Sequence, residues 1–208
     1  VNNFGEKNNN ERSLTGAITA NESKIEFKNC YFSMNRSEDA LNIIRSNFKL
    51  KNCTFLNNLN DAIDLDFSNG NIINSYFLKS GNDAIDCSGS EIYLNNIVID
   101  YALDKAISAG EMTKMNGIDV NISNSNIGLV SKDQSDVQLK QVVISQADVA
   151  MAIFQKKNEF GPAKMKILNG LIKESKQEFL LEKKSSLIFN DDIKRPNSSN
   201  LKKLFYKK

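Results

Sequence analysis

The fold of this chain is indicated by a stretch that it repeats, DAIDLDFSNGNIINSYFLKSGN at residues 61–82. Residues 83–104 read DAIDCSGSEIYLNNIVIDYALD, and residues 39–60 read DALNIIRSNFKLKNCTFLNNLN. All three copies open with aspartate, alanine and an apolar residue, and each then carries two short apolar patches at matching offsets. A fixed period of 22 or 23 residues is typical of a solenoid, in which each repeat forms one turn.

The repeat can be aligned position by position from Leu14 to Gln155. In the first patch an apolar position recurs at Leu41, Ile63, Ile85, Ile107, Leu129 and Met151, and another lies two residues further on. Residues two apart face the same side of an extended chain, so each patch predicts a short strand. Stacked strands predict an all-β fold, a right-handed parallel β-helix of about seven to eight coils. The leucine-rich horseshoe is the nearest alternative, but its LxxLxLxxN signature is absent.

Polar residues recur at the bend between two strands of each repeat, at Asn29, Asn52, Asn74, Asn96, Asp119 and Gln141. Asparagine tolerates the left-handed backbone of a tight bend, and its amide can bond the equivalent residue one turn away. We therefore interpret this column as a structural ladder rather than a ligand site. The three cysteines form no CxxC pair, so Cys30 and Cys53, at equivalent positions, are interpreted as stacked core residues rather than a zinc site or disulfide.

The pattern divides the chain into three parts. Residues 1–13 are a polar, asparagine-rich entry segment, residues 14–190 form the β-helix, and residues 191–208 form a C-terminal cap or tail. The run KKNEFGPAK at 156–164 interrupts the register, which resumes at Met165. Leu201, Leu204 and Phe205 are spaced like one face of a helix, which predicts a short capping helix over the solenoid end. A disordered or partner-binding tail is the alternative.

Composition excludes several classes of function. The formal charge of +2 over 208 residues gives no global argument for nucleic-acid binding, and no apolar run is long enough for membrane insertion. The chain has no histidine, which excludes histidine-based triads and most transition-metal sites. Because it begins with neither methionine nor an apolar signal core, we expect it to be a portion of a longer protein.

Strand parity places carboxylates on one outer face. If Ile63 and Leu65 face inward, Asp64 and Asp66 face outward, and stacking sets Asp64 against Asp86 of the next coil. Paired carboxylates can divide general acid and base roles, and carboxylates that hold calcium beside a lysine suit proton abstraction and elimination on an acidic sugar. The catalytic candidates are Asp64, Asp86, Asp83 and Lys105, the substrate-binding candidates are Arg45, Asp61, Asp66, Ser108 and Lys132, and the calcium candidates are Asp64, Asp66 and Asp86.

Like charges stacked at coil spacing repel, so the negative charge of such a face must be balanced by a cation. Calcium or a neighbouring lysine would supply it. Alternatively, Asp39, Asp61 and Asp83 turn inward and accept backbone N–H bonds at the bend, a common role for aspartate.

Several motifs resemble known β-helix families. The runs NDAIDL, GNDAIDCSGS and DKAISAGE resemble successive coils of pectin-degrading hydrolases and lyases. In the polygalacturonase-type hydrolases, matching coils carry an Asn-Thr-Asp motif, an Asp-Asp pair and Gly-His-Gly. Asp61 matches the first aspartate and Asp83 the second of the pair, whereas Asn82 and Lys105 stand where the other aspartate and the histidine would be.

A second resemblance covers nearly all of residues 14–190. The runs ALNIIRS, GNDAIDCSGS, DKAISAGE, IGLVSKD and IFQKKNEFGPA resemble a bacterial group of right-handed β-helix repeat proteins in the pectin-lyase-like superfamily. That group often occurs with, or fused to, spore-coat-type kinase-like and lamin-tail-like modules in secreted or surface proteins. The resemblance implies the same fold, a secreted or cell-surface location and other domains in a longer chain.

Three functional hypotheses follow. The leading one is a glycan-binding or surface-attached module of a larger secreted protein, with an acidic polysaccharide as a partner. The alternative is a polysaccharide lyase, epimerase or hydrolase acting on acidic glycans, with calcium as the suggested cofactor. The third is a structural spacer or assembly segment in which the aspartates only serve the bends.

Overall fold

The structure is a computed structural model that describes residues 8–9 and 12–206, with side chains from residue 14 onward. The predicted entry segment, residues 1–13, lies outside the described residues except for the backbone of an antiparallel pair, β1 (Asn8–Asn9) and β2 (Arg12–Ser13).

The rest of the described chain is a succession of strands with a short helix near its end. The strands are β3 (Gly16–Asn21), β4 (Lys24–Lys28), β5 (Tyr31–Ser33), β6 (Asp39–Ile44), β7 (Asn47–Lys51), β8 (Thr54–Asn58), β9 (Asp61–Asp66), β10 (Asn69–Ser80), β11 (Ile85–Ser88), β12 (Glu91–Gly110), β13 (Lys114–Lys132), β14 (Asp136–Ser145), β15 (Val149–Phe154), β16 (Lys164–Lys173), β17 (Gln177–Leu181), β18 (Ser186–Phe189) and β19 (Asp192–Ile193). The helix is α1 (Leu201–Phe205).

The predicted β-solenoid is confirmed, with about eight turns at a spacing of about 22 residues. Nearly every pairing is parallel and joins a residue to its equivalent one turn on, as Ile63 pairs with Leu41 and Ile85. Each turn has three strand segments, which form three faces. Sheet 1 contains β3, β6, β9, β11, the last parts of β12 and β13, β15 and β17. Sheet 2 contains β4, β7, the first parts of β10, β12, β13, β14 and β16, and β18. Sheet 3 contains β5, β8 and the remaining parts of β10, β12, β13, β14 and β16.

The predicted apolar columns form the core, because alternation along each strand turns them inward. Ile63 and Leu65 of sheet 1 are fully buried, and one continuous cluster of such residues runs through the solenoid. In sheet 3 the phenylalanine column stacks ring on ring: Phe55 lies 4.5 Å from Phe32 and 4.8 Å from Phe77, with nearly parallel planes. Such contacts add to the stabilisation from burial alone.

The predicted asparagine ladder lies at the bend between sheets 2 and 3. The amide of Asn52 donates to Asn29 at 3.0 Å, and the amide of Asn96 donates to Asn74 at 3.1 Å. All members of the predicted column have a left-handed backbone, with φ between 49° and 57°. A second ladder, which the sequence analysis missed, lies between sheets 1 and 2: buried hydroxyls of Ser46, Ser68 and Ser90 each accept the N–H of the equivalent residue in the preceding turn.

The remaining features follow the repeat. All three cysteines are free, with Cys53 and Cys87 buried and Cys30 partly buried. The interruption after Gln155 is a loop, and the register resumes in β16, as predicted. None of the helical structure in the described residues is long and apolar enough to cross a membrane.

Candidate functional site

The central outward position of sheet 1 forms one row along the solenoid axis. From the first turn to the last it contains Thr19, Asn42, Asp64, Asp86, Ser108, Val130, Ala152 and Leu180. The sequence analysis predicted that Asp64 stacks on Asp86, with Asn42 and Ser108 on either side, and the register has this order. The row is polar up to Ser108 and apolar beyond it. We call the outer face around its polar half the polar face.

The C-terminal tail covers the apolar half of the row. Leu201 of α1 is 1% exposed and packs in a cluster with Val130, Ala152 and Phe154. The predicted helix is therefore present, but it lies against the side of the solenoid. The helix was predicted to cover the end of the solenoid, but other parts of the tail lie there. β19 pairs with β18, and Asn197 donates its backbone N–H to Leu181 of the last sheet 1 strand. The tail thus sets the boundary of the polar face.

Asp64 lies at the centre of the polar face and is largely shielded from solvent. Its Oδ2 atom accepts a hydrogen bond of 3.0 Å from the amide of Asn42. Burial raises the pKa of Asp64 to about 9, and the carboxylates of Asp66 and Asp86 act in the same direction. Asp64 is consequently a neutral carboxylic acid at pH 7, able both to donate and to accept a hydrogen bond.

Lys132 joins the next two positions of the row. Its Nζ atom donates to Ser108 Oγ at 2.6 Å and lies 3.8 Å from Asp86 Oδ1, which also accepts the N–H of Cys87 at 3.0 Å. The lysine stem lies over Gly110, where a Cβ atom would come within 2.7 Å of Lys132 Cε. Burial lowers the pKa of Lys132, but Asp86, Tyr206 and Asp83 together raise it above its usual value.

The aspartates at the bend before sheet 1 hold successive turns together. Asp61 Oδ1 accepts the N–H of Asp83 at 2.8 Å and the amide of Asn82 at 2.7 Å. Asp83 Oδ1 in turn accepts the N–H of Lys105 at 2.9 Å. These two aspartates therefore have the backbone-bonding role that the sequence analysis considered for the column. Burial raises the pKa of Asp61 to about 6.

Asp83 and Lys105 form a buried ion pair at the same bend. Lys105 Nζ lies 3.3 Å from Asp83 Oδ1 and also contacts Asp104. Burial and the nearby Asp86 raise the pKa of Asp83, and the adjacent ammonium opposes this shift. Burial lowers the pKa of Lys105, but Asp83, Tyr206 and Asp104 together raise it above its usual value. The ionised pair satisfies both side chains, since Asp83 also accepts a backbone N–H. Tyr206, whose ring centroid is 5.5 Å from Lys105 Nζ, closes this edge of the polar face.

Two other predicted residues flank the polar face. Burial and the nearby Asp86 raise the pKa of Asp66, and Arg45 opposes the shift. Arg45 is exposed, with its guanidinium 5.9 Å from the ring centroid of Phe67. All the predicted site residues therefore lie on or beside one face.

Three polar atoms near Asp64 are buried without a hydrogen-bond partner among the described residues: Asn42 Oδ1, Asp39 Oδ2 and Thr19 Oγ1. Asn42 and Asp39 are each only 2% exposed, and burial raises the pKa of Asp39 to about 7. Buried polar atoms are nearly always paired, so a ligand or water is expected to bind these atoms. Asn42 and Thr19 were not predicted from the sequence to bind a ligand, although the register alone places them in the row.

The predicted calcium residues do not fit a metal site in this arrangement. Asp64 Oδ2 accepts an amide hydrogen bond from Asn42, whereas calcium requires several oxygen ligands that converge on one point. Across the described residues, no group of three or more histidine, cysteine, aspartate or glutamate side chains is placed to hold a metal ion.

Comparisons with known proteins give no family for this chain. No protein-family model matches it. No curated protein matches its sequence.

Proposed function

We propose that this chain is a glycan-binding β-solenoid module, attached at a surface, within a larger secreted bacterial protein. The polar face of sheet 1 is the proposed binding site. Glycans present many hydroxyl groups, each of which both donates and accepts hydrogen bonds. A suitable site therefore offers mixed donors and acceptors on an open, shaped surface.

The observation that carries this proposal is the pairing of Asn42 with the neutral Asp64. The Asn42 amide donates to Asp64, which leaves Asn42 Oδ1 buried and unpaired and the Asp64 carboxyl proton free to be donated. A sugar hydroxyl would accept the Asp64 proton, and a small shift of the Asn42 amide would bring Oδ1, which is closed to solvent in the structure, to the same hydroxyl. Lys132 and Ser108, further along the solenoid, are buried and bonded to each other, so they bound the proposed site on that side.

Open space large enough for sugar rings lies at the bend before sheet 1, next to the polar face rather than over Asn42 and Asp64. A cavity of about 400 Å³ at the bend is lined by Arg36, Glu38, Asn60, Asp61 and Asn82. A neighbouring cavity of about 660 Å³ shares Arg36 and contains Tyr101 and Leu103. Aromatic and apolar side chains beside polar ones are typical of ligand sites.

The proposed bacterial origin, secretion and attachment to other domains depend on the family resemblance of runs such as GNDAIDCSGS and IFQKKNEFGPA. That resemblance also favours membership of the pectin-lyase-like superfamily.

Binding is tested by calorimetric titration of a panel of acidic and neutral polysaccharides. We expect Asn42→Ala and Asp64→Ala to weaken binding by about tenfold each, the effect of losing a hydrogen bond of roughly 1.4 kcal/mol. Asp64→Asn, which imitates the neutral acid, should bind like the natural chain. The control is Asn121→Ala, because Asn121 is exposed on sheet 3. If no polysaccharide in the panel binds, the proposal is wrong and the spacer hypothesis is favoured.

A second candidate is a polysaccharide lyase, epimerase or hydrolase, favoured by the unequal environments of two stacked carboxyls. Asp64 is protonated, whereas Asp86 on the next turn faces Lys132. Such a pair suits an acid and a base. An enzyme would release unsaturated or reducing sugar ends, and this turnover would be lost in Asp64→Asn while binding persists. Binding without any turnover in the natural chain would contradict this candidate.

A further inference from the structure

The outer face of sheet 2 is strongly basic. Along β4 and β7 every second residue, such as Ile25 and Phe48, faces the core. The residues that alternate with them in each strand face outward. Four of the outward residues in these first two turns are Lys24, Lys28, Lys49 and Lys51. Equivalent residues stack about 4.8 Å apart, so Lys28 and Lys51 repel each other.

Lysines recur towards the other end of the same face, at Lys114, Lys140, Lys164 and Lys166. The acidic residues among the outward positions of sheet 2 are Glu26, Glu91 and Asp136. Of the eight lysines, only Lys114 forms an ion pair within the described chain, with Glu91 at 3.0 Å. The register sets Glu26 beside Lys49 and Asp136 beside Lys164, but among the described residues none of the other seven lysines forms an ion pair. With eight lysines and three acidic residues the face has an excess of positive charge, and an anionic ligand would reduce the mutual repulsion.

A groove lined by Lys114, Lys140 and Lys166 runs along sheet 2 and ends at Asn71, which pairs with Lys49 of the first lysine group. One cavity of about 510 Å³ and another of about 290 Å³ share Tyr93 and Asn116, so together they follow sheet 2 over several turns. Asn71, Tyr93, Asn116 and Gln138 are exposed and form one row along this groove. In the described structure the amides of Asn71 and Asn116 make no side-chain hydrogen bond, in contrast to the satisfied asparagine ladder. The row therefore offers a free amide on each side of the Tyr93 ring, while the Gln138 amide donates to Asp136.

We propose that the outer face of sheet 2 binds a linear anionic polysaccharide lying along the solenoid axis. The lysines at both ends of the groove neutralise its acidic groups, and the amides and the Tyr93 ring contact its sugar units. The regular row matches a polymer of repeating units. A single-stranded nucleic acid fits less well, because such sites stack bases on successive aromatic rings and Tyr93 is the one aromatic residue lining this groove in the described structure.

This site is independent of the polar face of sheet 1, which lies on another side of the solenoid. Binding is measured by surface plasmon resonance on immobilised alginate, which carries carboxylates, dextran sulfate, which carries sulfates, and neutral dextran. We expect the natural chain to bind one or both anionic polymers, more weakly as salt increases, and to leave neutral dextran unbound. A preference between the anionic polymers identifies which acidic group the ligand carries.

Lys140→Gln combined with Lys166→Gln should weaken binding by about 25-fold, at about fivefold for each lysine beside an anionic surface. The matched control is Lys173→Gln with Lys202→Gln, which removes the same charge from exposed positions outside sheet 2. Asn116→Asp, which adds a negative charge inside the groove, should also weaken binding, whereas Asn121→Asp on sheet 3 should not.

Equal losses in the variant pair and its control would overturn the proposal, as would tighter binding to DNA of equal charge or equal binding to neutral dextran. If Asp64→Ala and Asn42→Ala abolish alginate binding while the sheet 2 variants retain it, this proposal fails and the sheet 1 proposal stands. Loss in the sheet 2 variants, with binding retained in their Lys173 and Lys202 control, supports the basic groove, whatever happens at the polar face.

Discussion

At the scale of single residues, Asp64 shows how a solenoid can keep a carboxyl group on its outer face away from water. Residues of the turns on either side lie about 4.8 Å away and displace water from the carboxyl group. The same stacking brings in the carboxylates of Asp66 and Asp86, which also oppose ionisation. Asn42 then supplies a donor, so the neutral acid is held in a fixed position.

Because Asp64 is protonated in the folded chain, we expect the free energy of unfolding to fall as pH rises. Asp64 has a pKa of about 9 in the folded chain and 3.8 ordinarily, so the folded state binds its proton more tightly than the unfolded state does. The stability that this proton provides is complete below about pH 4 and is lost as pH rises through 9. Asp64→Asn should remove the share of this dependence that belongs to Asp64, while Asp39 and Asp61, whose pKa values are also raised, retain theirs. It should raise the melting temperature at pH 8 by roughly 2–4 °C for each 1 kcal/mol gained in a chain of this size.

Thermal melts of both proteins from pH 4 to pH 10 provide the measurement. Asp191→Asn serves as the control, since Asp191 is exposed in the turn after β18. Parallel curves for the natural chain and Asp64→Asn would show that Asp64 is ionised at neutral pH, contrary to the prediction.

At the scale of elements, α1 decides how much of sheet 1 is open to ligands. The helix is only five residues long, too short to be stable alone, so its position depends on packing. Leu201 supplies that packing, and Asn200 accepts the N–H of Lys203 at the helix start. Tyr206 follows directly and lies over Lys105 and Lys156.

Replacing Leu201 should therefore release the tail while the solenoid remains folded. Leu201→Ala removes a buried side chain worth about 2 kcal/mol or more, whereas Leu204→Ala in the same helix removes one that is 55% exposed. Trypsin should cleave after Lys202 and Lys203 much faster in Leu201→Ala, with Leu204→Ala resembling the natural chain. Equal cleavage of the two variants would mean that Leu201 does not hold the tail.

At the scale of the whole molecule, the solenoid carries two outer faces of different charge. Aspartates dominate the polar face of sheet 1, and unpaired lysines dominate sheet 2. The net charge of +2 conceals this separation, because the opposing charges nearly cancel in the sum. A small net charge therefore does not exclude the binding of a charged ligand to one face.

The same linear design predicts a gradient of stability. Each turn contacts only its neighbours, so the turns at the ends have fewer contacts than those in the middle. In the first turn Ile18, Ile25 and Phe27 remain partly exposed, whereas Ile63 and Ile85 are fully buried.

Hydrogen exchange followed by mass spectrometry tests this gradient. Amides in residues 61–110 should exchange at least about tenfold more slowly than those in residues 16–33, equivalent to roughly 1.4 kcal/mol of opening free energy. Uniform protection along the chain would mean that the solenoid opens as a single cooperative unit.

The sequence alone determined the turns, their register and the inward columns. Each turn repeats the same local chemistry, so Ile63 and Leu65 alternate inward for the same reason as Leu41 and Ile43, and Asn52 suits its left-handed bend wherever it recurs. Register also placed Asp64 over Asp86. Tertiary structure decided where the tail docks and which carboxyl keeps its proton. These features depend on segments that do not repeat and on desolvation by neighbouring turns. The tail docks beside sheet 1 because Leu201 finds an apolar row there, and Asp64 retains its proton because the packed turns around it exclude water.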